Sequence, residues 1–120
     1  MNDEFPFVIA TLLEQCGNSK DIAEIILEEF VVQIGDDIRE ITASLASGDL
    51  LQVGKVGHRL KGSSGVVGAE HLHSLCLAIE QTAKNAAKEG ATAEVAKIFA
   101  ELKAEADRCV AAVPKAKEKL

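Results

Sequence analysis

Residues 19–47, SKDIAEIILEEFVVQIGDDIREITASLAS, decide the class of fold. Within this stretch, large aliphatic side chains return at alternating spacings of four and three residues: Leu27, Val31, Ile34, Ile38, Ile41 and Leu45. This is the spacing with which one face of an α-helix packs along another helix. Asn18 or Ser19 can cap the start of the segment, and Ser47 with Gly48 ends it. The segment predicts one long amphipathic helix of a helical bundle.

The segments on either side carry helical patterns of their own. Before it, apolar residues between Pro6 and Cys16 predict a first helix of about three turns that stops at Gly17. After it, Asp49 is placed to cap a third helix, with Gln52 at the reciprocal position of a capping box. The inner face of this third helix is predicted to be Val53, Val56, Leu60, Ser64 and Val67, with Gly68 at its end.

Two more helices complete the chain. The fourth is predicted from Leu72, Leu75, Cys76, Ile79, Ala83 and Ala86 and ends at Gly90. The fifth is predicted from Val95, Ile98, Phe99, Leu102, Ala106, Cys109 and Val113 and ends at Pro114, which leaves residues 115–120 as a frayed tail.

Length and composition agree with a single all-α domain. The chain has 120 residues, of which 48% are hydrophobic and 27% charged, with four Phe and no Tyr or Trp. Sheets draw on aromatic and β-branched residues, whereas this composition favours helices. Long amphipathic helices joined by short glycine-centred turns run antiparallel to their neighbours. We expect an antiparallel up-down four-helix bundle with a short additional N-terminal helix, one domain over 1–120 with its ordered core over residues 5–113.

The charge of the chain limits its partners. Lys and Arg number 13 against 19 Asp and Glu, a formal net charge of −6, which repels nucleic acid and anionic lipid. No apolar run reaches the roughly 20 residues that span a bilayer, and the N-terminus lacks the basic region of a signal peptide. We therefore expect a cytoplasmic protein that neither inserts into membranes nor binds nucleic acid. Cys16, Cys76 and Cys109 lie in apolar patterns and are expected to be reduced core thiols.

The third helix presents one histidine to solvent. At 100° per residue, His58 lies about 160° from Leu60, the centre of the apolar face. Leu51, Gly54, Lys55, Gly62 and Gly65 fall on the same outer half, and Gly57 lies nearer the core. Four glycines within one helix cost roughly 3–4 kcal/mol relative to alanine. We interpret Gly57 as a site of close helix packing, and the outer glycines as a smooth surface on which another protein can approach His58.

Residues 58–64, HRLKGSS, followed by Gly68 and Ala69, resemble the signature of histidine-containing phosphotransfer domains. The resemblance implies a four-helix bundle that serves as a phosphorelay intermediate. His58 would accept a phosphoryl group from an aspartyl phosphate on one receiver domain and pass it to an aspartate on another. It implies partners among response-regulator receiver domains and a hybrid histidine kinase, a monomeric carrier that is not an enzyme, and no cofactor beyond Mg²⁺ on the receiver.

The resemblance also suggests which residues support His58. Glu80, 22 residues later, is the candidate that holds Nδ1 and fixes the tautomer. Lys61 and Lys84 are candidates for offsetting the charge of the phosphoryl group. Ser63 and Ser64 lie nearer the core and are expected to bond to the preceding turn. A docking surface for the receiver is predicted from the outward residues Leu51, Gly54, Lys55, Gly62, Gly65 and Leu77.

Other functions fit parts of the pattern. A bundle that binds receiver domains without being phosphorylated is the main alternative, and a phosphorylation assay separates the two. A dimerising domain of a histidine kinase is a second one, although Arg59 follows His58 where that family normally has an acidic residue. His73 and Cys76 have the spacing of a helical metal pair, but two ligands without further support make a poor zinc site, and we expect no metal there.

Overall fold

The computed structural model describes residues 5–89 and 92–120, and these contain five α-helices and no strand. The helices are α1 (Ile9–Gln15), α2 (Lys20–Ser47), α3 (Leu50–Val66), α4 (Glu70–Glu89) and α5 (Ala93–Glu118). Gly90, the predicted end of the fourth helix, lies outside the described residues. None of the described helices is long and apolar enough to cross a bilayer.

The four long helices close around one core. α2 packs on α3, α3 on α4, α4 on α5, and α5 returns to α2, while the short α1 lies against α2 and α3. The largest fully buried aliphatic side chains come from all five helices and the turn after α3: Leu12, Leu27, Ile41, Val53, Val56, Leu60, Val67, Leu72, Ile79, Val95 and Leu102. The prediction of an all-α four-helix bundle with an extra N-terminal helix is confirmed.

The predicted caps of α2 and α3 are present, with one exception. The Ser19 hydroxyl accepts from the Ile22 N–H at 3.2 Å, and Gly48 ends α2 with φ at 76°, a conformation that costs glycine nothing. Asp49 accepts from the Gln52 N–H at 3.1 Å. The Gln52 side chain, however, donates to Glu40 Oε2 at 2.5 Å, so the reciprocal half of the capping box is wrong.

The buried face of α2 is rotated from its predicted position. Its fully buried residues are Ala23, Leu27, Phe30, Ile34, Asp37, Ile41 and Ser44, whereas Val31, Ile38 and Leu45 are only half-buried. The apolar pattern alone placed the centre of the face one residue too far along the chain. The rotation brings a carboxylate, Asp37, into the interior.

Two predicted boundaries near the chain ends are wrong. α1 begins at Ile9 and has seven residues, because the Val8 N–H donates to the Gly68 carbonyl at 2.9 Å and holds the preceding chain extended. α5 continues through Pro114 to Glu118, so residues 115–118 are helical rather than frayed. Tertiary contacts offset the backbone bond that proline cannot make: Ala116 is fully buried, and Lys117 Nζ reaches Glu28 Oε1 at 2.8 Å.

All three cysteines are buried and unpaired. Burial raises the pKa of both the Cys76 and the Cys109 thiols to about 12, which keeps them protonated. A thiol in that state is a poor nucleophile. Cys76 and Cys109 are therefore unreactive, and all three cysteines belong to the core, as their positions in the apolar pattern indicated.

Candidate functional site

α3 holds His58 on the outside of the bundle. The opposite side of the helix carries Val56 and Leu60, both fully buried, so packing fixes the rotation of α3. The His58 side chain is 68% exposed, in agreement with the helix-wheel prediction. The imidazole is therefore open to a second protein along one edge.

Glu80 of α4 contacts the other edge of the imidazole. Its Oε2 lies 2.7 Å from His58 Nδ1. The two helices approach closely at this level because Gly57 has no side chain: a Cβ there would lie 2.8 Å from Ile79 Cγ2. The sequence interpretation of Gly57 as a packing residue agrees with this contact.

The same carboxylate also binds Lys61. Lys61 Nζ donates to Glu80 Oε1 at 2.7 Å, so one carboxylate joins His58 and Lys61. The hydrogen bond from Lys61 holds the pKa of the Glu80 carboxyl below its ordinary value, the bond from His58 adds to this, and partial burial opposes both. An ionised carboxylate only accepts, so Nδ1 must carry the proton. The Nε2 lone pair is then left toward the exposed side.

Ser63 and Ser64 are bound to their own helix. The Ser64 hydroxyl donates to the Leu60 carbonyl at 2.7 Å and is fully buried, and Ser63 donates to the Arg59 carbonyl at 3.5 Å. Both serine hydroxyls therefore donate to the preceding turn of α3, as expected.

A groove of about 420 Å³ runs beside His58 between α3 and α4, and we call it the α3/α4 groove. Its walls are Leu50, Leu51, Gly54, Lys55, His58, Glu80 and Lys84. Leu51 is 64% exposed, which is a high exposed fraction for an aliphatic side chain. Lys55 and Lys84 are exposed, and neither pairs with a carboxylate of the described chain. The structure thus brings three of the predicted docking residues and Lys84 to one surface.

The predicted docking residues differ in how deeply they are buried. Gly62 is exposed, and a Cβ there would meet nothing within 4 Å. Gly65 is exposed beside His73, and Leu77 is 38% exposed on α4 but does not line the groove. Gly54 is only half-buried at the α3–α4 contact, since its Cβ would lie 3.6 Å from the Glu80 carbonyl. Gly54 therefore lines the groove but is partly covered by α4.

Sequence reasoning missed an ionic network next to His58. Arg59 Nε and Nη2 donate to Asp37 Oδ1 at 3.1 and 2.6 Å, and Nη2 also donates to Glu40 Oε1 at 3.1 Å. Asp37 is 1% exposed, and its bond raises the pKa of Arg59 above the ordinary value, with Glu40 adding to this. The network ties α3 to α2 one residue after the histidine. The signal that could have revealed it was Asp37 itself, an acidic residue spaced three residues after Ile34 and four before Ile41, both of which are buried.

An exposed histidine on a four-helix bundle, with a carboxylate on its inner nitrogen, is the arrangement of a helical phosphotransfer module. A family model, the Hpt domain, matches residues 25–112 of the chain. The chain belongs to this family. It is a phosphorelay signalling intermediate, a phosphoryl carrier rather than a kinase, of a class whose partners are receiver domains.

Solved structures share the fold over nearly the whole chain. Histidine-containing phosphotransfer protein B (HptB) from Pseudomonas aeruginosa PAO1 is 18% identical with a TM-score of 0.84, and 96% of each chain is covered. The HPT domain of the Hpt sensor hybrid histidine kinase from Shewanella is 20% identical with a TM-score of 0.80, covering 97% of each chain. A comparison with curated proteins gave no match.

Proposed function

We propose that His58 is the residue that carries the phosphoryl group. The observation that carries the proposal is the 2.7 Å contact between Nδ1 and the ionised Glu80 carboxylate, because it leaves the Nε2 lone pair exposed and nucleophilic. Nε2 attacks the phosphorus of an aspartyl phosphate, the Nε2–P bond forms, and the bond from phosphorus to the carboxylate oxygen breaks. The reverse step on a second receiver returns His58 to its neutral form.

Glu80 and Lys61 act on the charge of that intermediate. Once Nε2 holds phosphorus, the ring still keeps its Nδ1 proton and gains positive character, which the Glu80 carboxylate offsets at hydrogen-bond distance. Lys61, 2.7 Å from the same carboxylate, is placed to balance the phosphoryl charge, and Lys84 supplies further positive charge at the end of the α3/α4 groove.

The remaining chemistry belongs to partners. The function needs no ATP site and no cofactor on this chain, since Mg²⁺ and the reactive aspartate are supplied by the receiver domain. We propose a cytoplasmic, monomeric carrier that receives its phosphoryl group from a hybrid histidine kinase and has no nucleic-acid partner.

The experiment that tests this function is phosphoryl transfer from a receiver domain. The protein is mixed with a phosphorylated receiver and Mg²⁺, and the label is characterised and mapped by mass spectrometry. We expect an acid-labile, base-stable phosphoryl group on His58. Binding of receivers without any label would favour the non-phosphorylated interaction module instead, and a label on His71 or His73 would move the site to the start of α4.

Removing the Glu80 carboxylate should slow transfer. Glu80→Ala deletes the acceptor of the Nδ1 proton, so we expect a loss of about tenfold in transfer rate, the lower end of the effect of removing a group that orients a metal-bound histidine. Glu80→Gln, the matched control, keeps one acceptor oxygen and should lose less. Stopped-flow transfer from a phosphorylated receiver measures both, and equal rates for Glu80→Ala and wild type would reduce Glu80 to a solvated surface group.

The Glu80 contact should also depend on pH. Folding lowers the pKa of the Glu80 carboxyl from its ordinary value of about 4.5. The contact therefore adds stability at pH values above 4.5. This added stability is lost as the pH falls through the lowered folded pKa. Urea unfolding of wild type and Glu80→Gln should therefore differ most above pH ~5 and converge in acid. A difference that grows in acid would contradict the assignment.

Filling the smooth surface at Gly62 should block docking. The exposed Gly62 has open space around it, so Gly62→Gln fits the fold and gains roughly 0.5–1 kcal/mol of stability from helix propensity. The added side chain stands one turn from His58, and we expect transfer from the receiver to fall about tenfold, since 1–2 kcal/mol of lost contact suffices for that. Ala104→Gln on exposed α5 is the control. An unchanged transfer rate in Gly62→Gln would place the interface elsewhere.

A further inference from the structure

The α3/α4 groove is positively charged within an acidic protein. The formal charge of the chain is −6, yet two lysines, Lys55 and Lys84, line the groove without a carboxylate partner in the described chain. The one carboxylate in the wall, Glu80, is already bound by His58 and Lys61. Leu50 and exposed Leu51 supply the apolar part of the lining. The groove therefore fits an apolar side chain accompanied by an anionic group.

The surface on the α2 side of the site has the opposite charge. A concavity of about 520 Å³ there, which we call the α2 acidic face, is lined by Glu29, Val32, Gln33, Asp36, Asp37, Glu40 and Arg59. The lining has four carboxylates and one guanidinium, that of Arg59. One of the four carboxylates, Asp36, is paired with Arg39. Val32 is 65% exposed within this surface.

These two surfaces lie on opposite flanks of His58. His58 reaches α4 through Glu80, whereas the next residue, Arg59, reaches α2 through Asp37. A protein that covers the imidazole must therefore meet the positive groove on one side and the acidic face on the other. If that protein carries negative charge on the side facing the groove and positive charge on the other, reversing its orientation would place like charges against each other.

We propose, on the basis of the function proposed above, that a receiver domain docks on this protein in one orientation set by that charge asymmetry. A carboxylate next to an apolar side chain, at the rim of the receiver's acidic phosphorylation pocket, enters the α3/α4 groove between Lys55 and Lys84. A lysine or arginine of the receiver faces the α2 acidic face. Complementary charges of this kind fix register and suppress wrong partners.

The test is binding, measured apart from chemistry. The probe is an unphosphorylated receiver domain that binds the wild-type protein, titrated by calorimetry at low and high salt. We expect Lys55→Glu and Lys84→Glu each to weaken binding about tenfold at low salt and much less at high salt, because added ions screen exposed charges. Lys97→Glu and Lys103→Glu, exposed on α5, make the same charge change away from the site and should alter binding less than about twofold.

Charge exchange tests the orientation itself. Changing the matching receiver carboxylate to lysine should restore binding to Lys84→Glu, and Glu29→Lys on the α2 acidic face should weaken wild-type receiver binding several-fold. The proposal is overturned if the α5 controls lose as much binding as the groove variants, or if no receiver variant restores binding. It is also overturned if Glu29→Lys binds more tightly, or if no receiver binds at all. Phosphoramidate labels a reactive histidine without any receiver. Labelling of the wild-type protein by phosphoramidate therefore tests the proposed role of His58 separately from the proposed docking.

Discussion

The His58→Gln variant should take up no acid-labile phosphoryl group while keeping the helical spectrum of the wild-type protein. Glutamine offers no ring nitrogen to phosphorus, so labelling falls to background. The His58 side chain is 68% exposed and its one described partner is Glu80, so the substitution removes little folding stability. Exposed substitutions of this kind change stability by about 0.5 kcal/mol or less. Labelling by a phosphorylated receiver, alongside circular dichroism, measures both quantities.

Two other histidines provide matched controls. His71→Gln and His73→Gln remove imidazoles from the first turn of α4, away from the Glu80 carboxylate. Both variants should keep their label, because no step of the proposed phosphoryl transfer involves His71 or His73. A label that survives His58→Gln and disappears in His71→Gln or His73→Gln would contradict the assignment of the acceptor. Phosphoramidate gives the same comparison without a receiver, so lost docking cannot be mistaken for a lost acceptor.

The sequence was sufficient for the class of fold and the exposure of His58, because both follow from helical periodicity. Leu60 and Val56 are fully buried, and their spacing determines which way His58 points. The contact with Glu80 could be suggested only by resemblance, since periodicity within one helix carries no information about the register of the next. The same limit applies to Lys61, whose bond to Glu80 depends on how α3 and α4 are aligned.

Polar groups in the interior were the main source of error. The aliphatic pattern of α2 gave a face centred away from Asp37, because a carboxylate was not counted as a core residue. Its burial becomes possible only when Arg59 arrives from α3, a pairing that joins residues 22 positions apart. The extension of α5 beyond Pro114 has a similar cause. Proline predicts the end of a helix at this position, but the helix continues and Lys117 pairs with Glu28, which is distant in sequence.

Gly57→Val should destabilise the bundle more than any other single glycine substitution within α3. A Cβ at Gly57 would lie 2.8 Å from Ile79 Cγ2 and 3.5 Å from the Cys76 carbonyl, both on α4. Ile79 is fully buried and branched, so α3 and α4 must separate. Overpacking of this kind costs about 1–3 kcal/mol, and we expect a loss near the upper end. For a domain of this size that loss lowers the melting temperature by about 10 °C.

Gly62→Val is the matched control, since it makes the same change in the same helix. A Cβ at Gly62 would meet nothing within 4 Å, so only helix propensity changes, and valine gains a few tenths of a kcal/mol over glycine. The difference between the two variants in urea unfolding isolates the contact between α3 and α4. Equal stabilities for Gly57→Val and Gly62→Val would show that the close approach of the helices at Gly57 does not depend on glycine.

The same packing contact controls the geometry of the site. Gly57 directly precedes His58, and Ile79 directly precedes Glu80, so a separation of the first pair is transmitted at once to the 2.7 Å hydrogen bond of the second. The milder variant, Gly57→Ala, should therefore weaken the Nδ1–H tautomer while the bundle stays folded. Imidazole ¹⁵N chemical shifts of His58 measure the tautomer directly. Unchanged shifts in a destabilised Gly57→Ala protein would mean that α4 shifts without moving the Glu80 carboxylate, and that packing and chemistry are independent at this site.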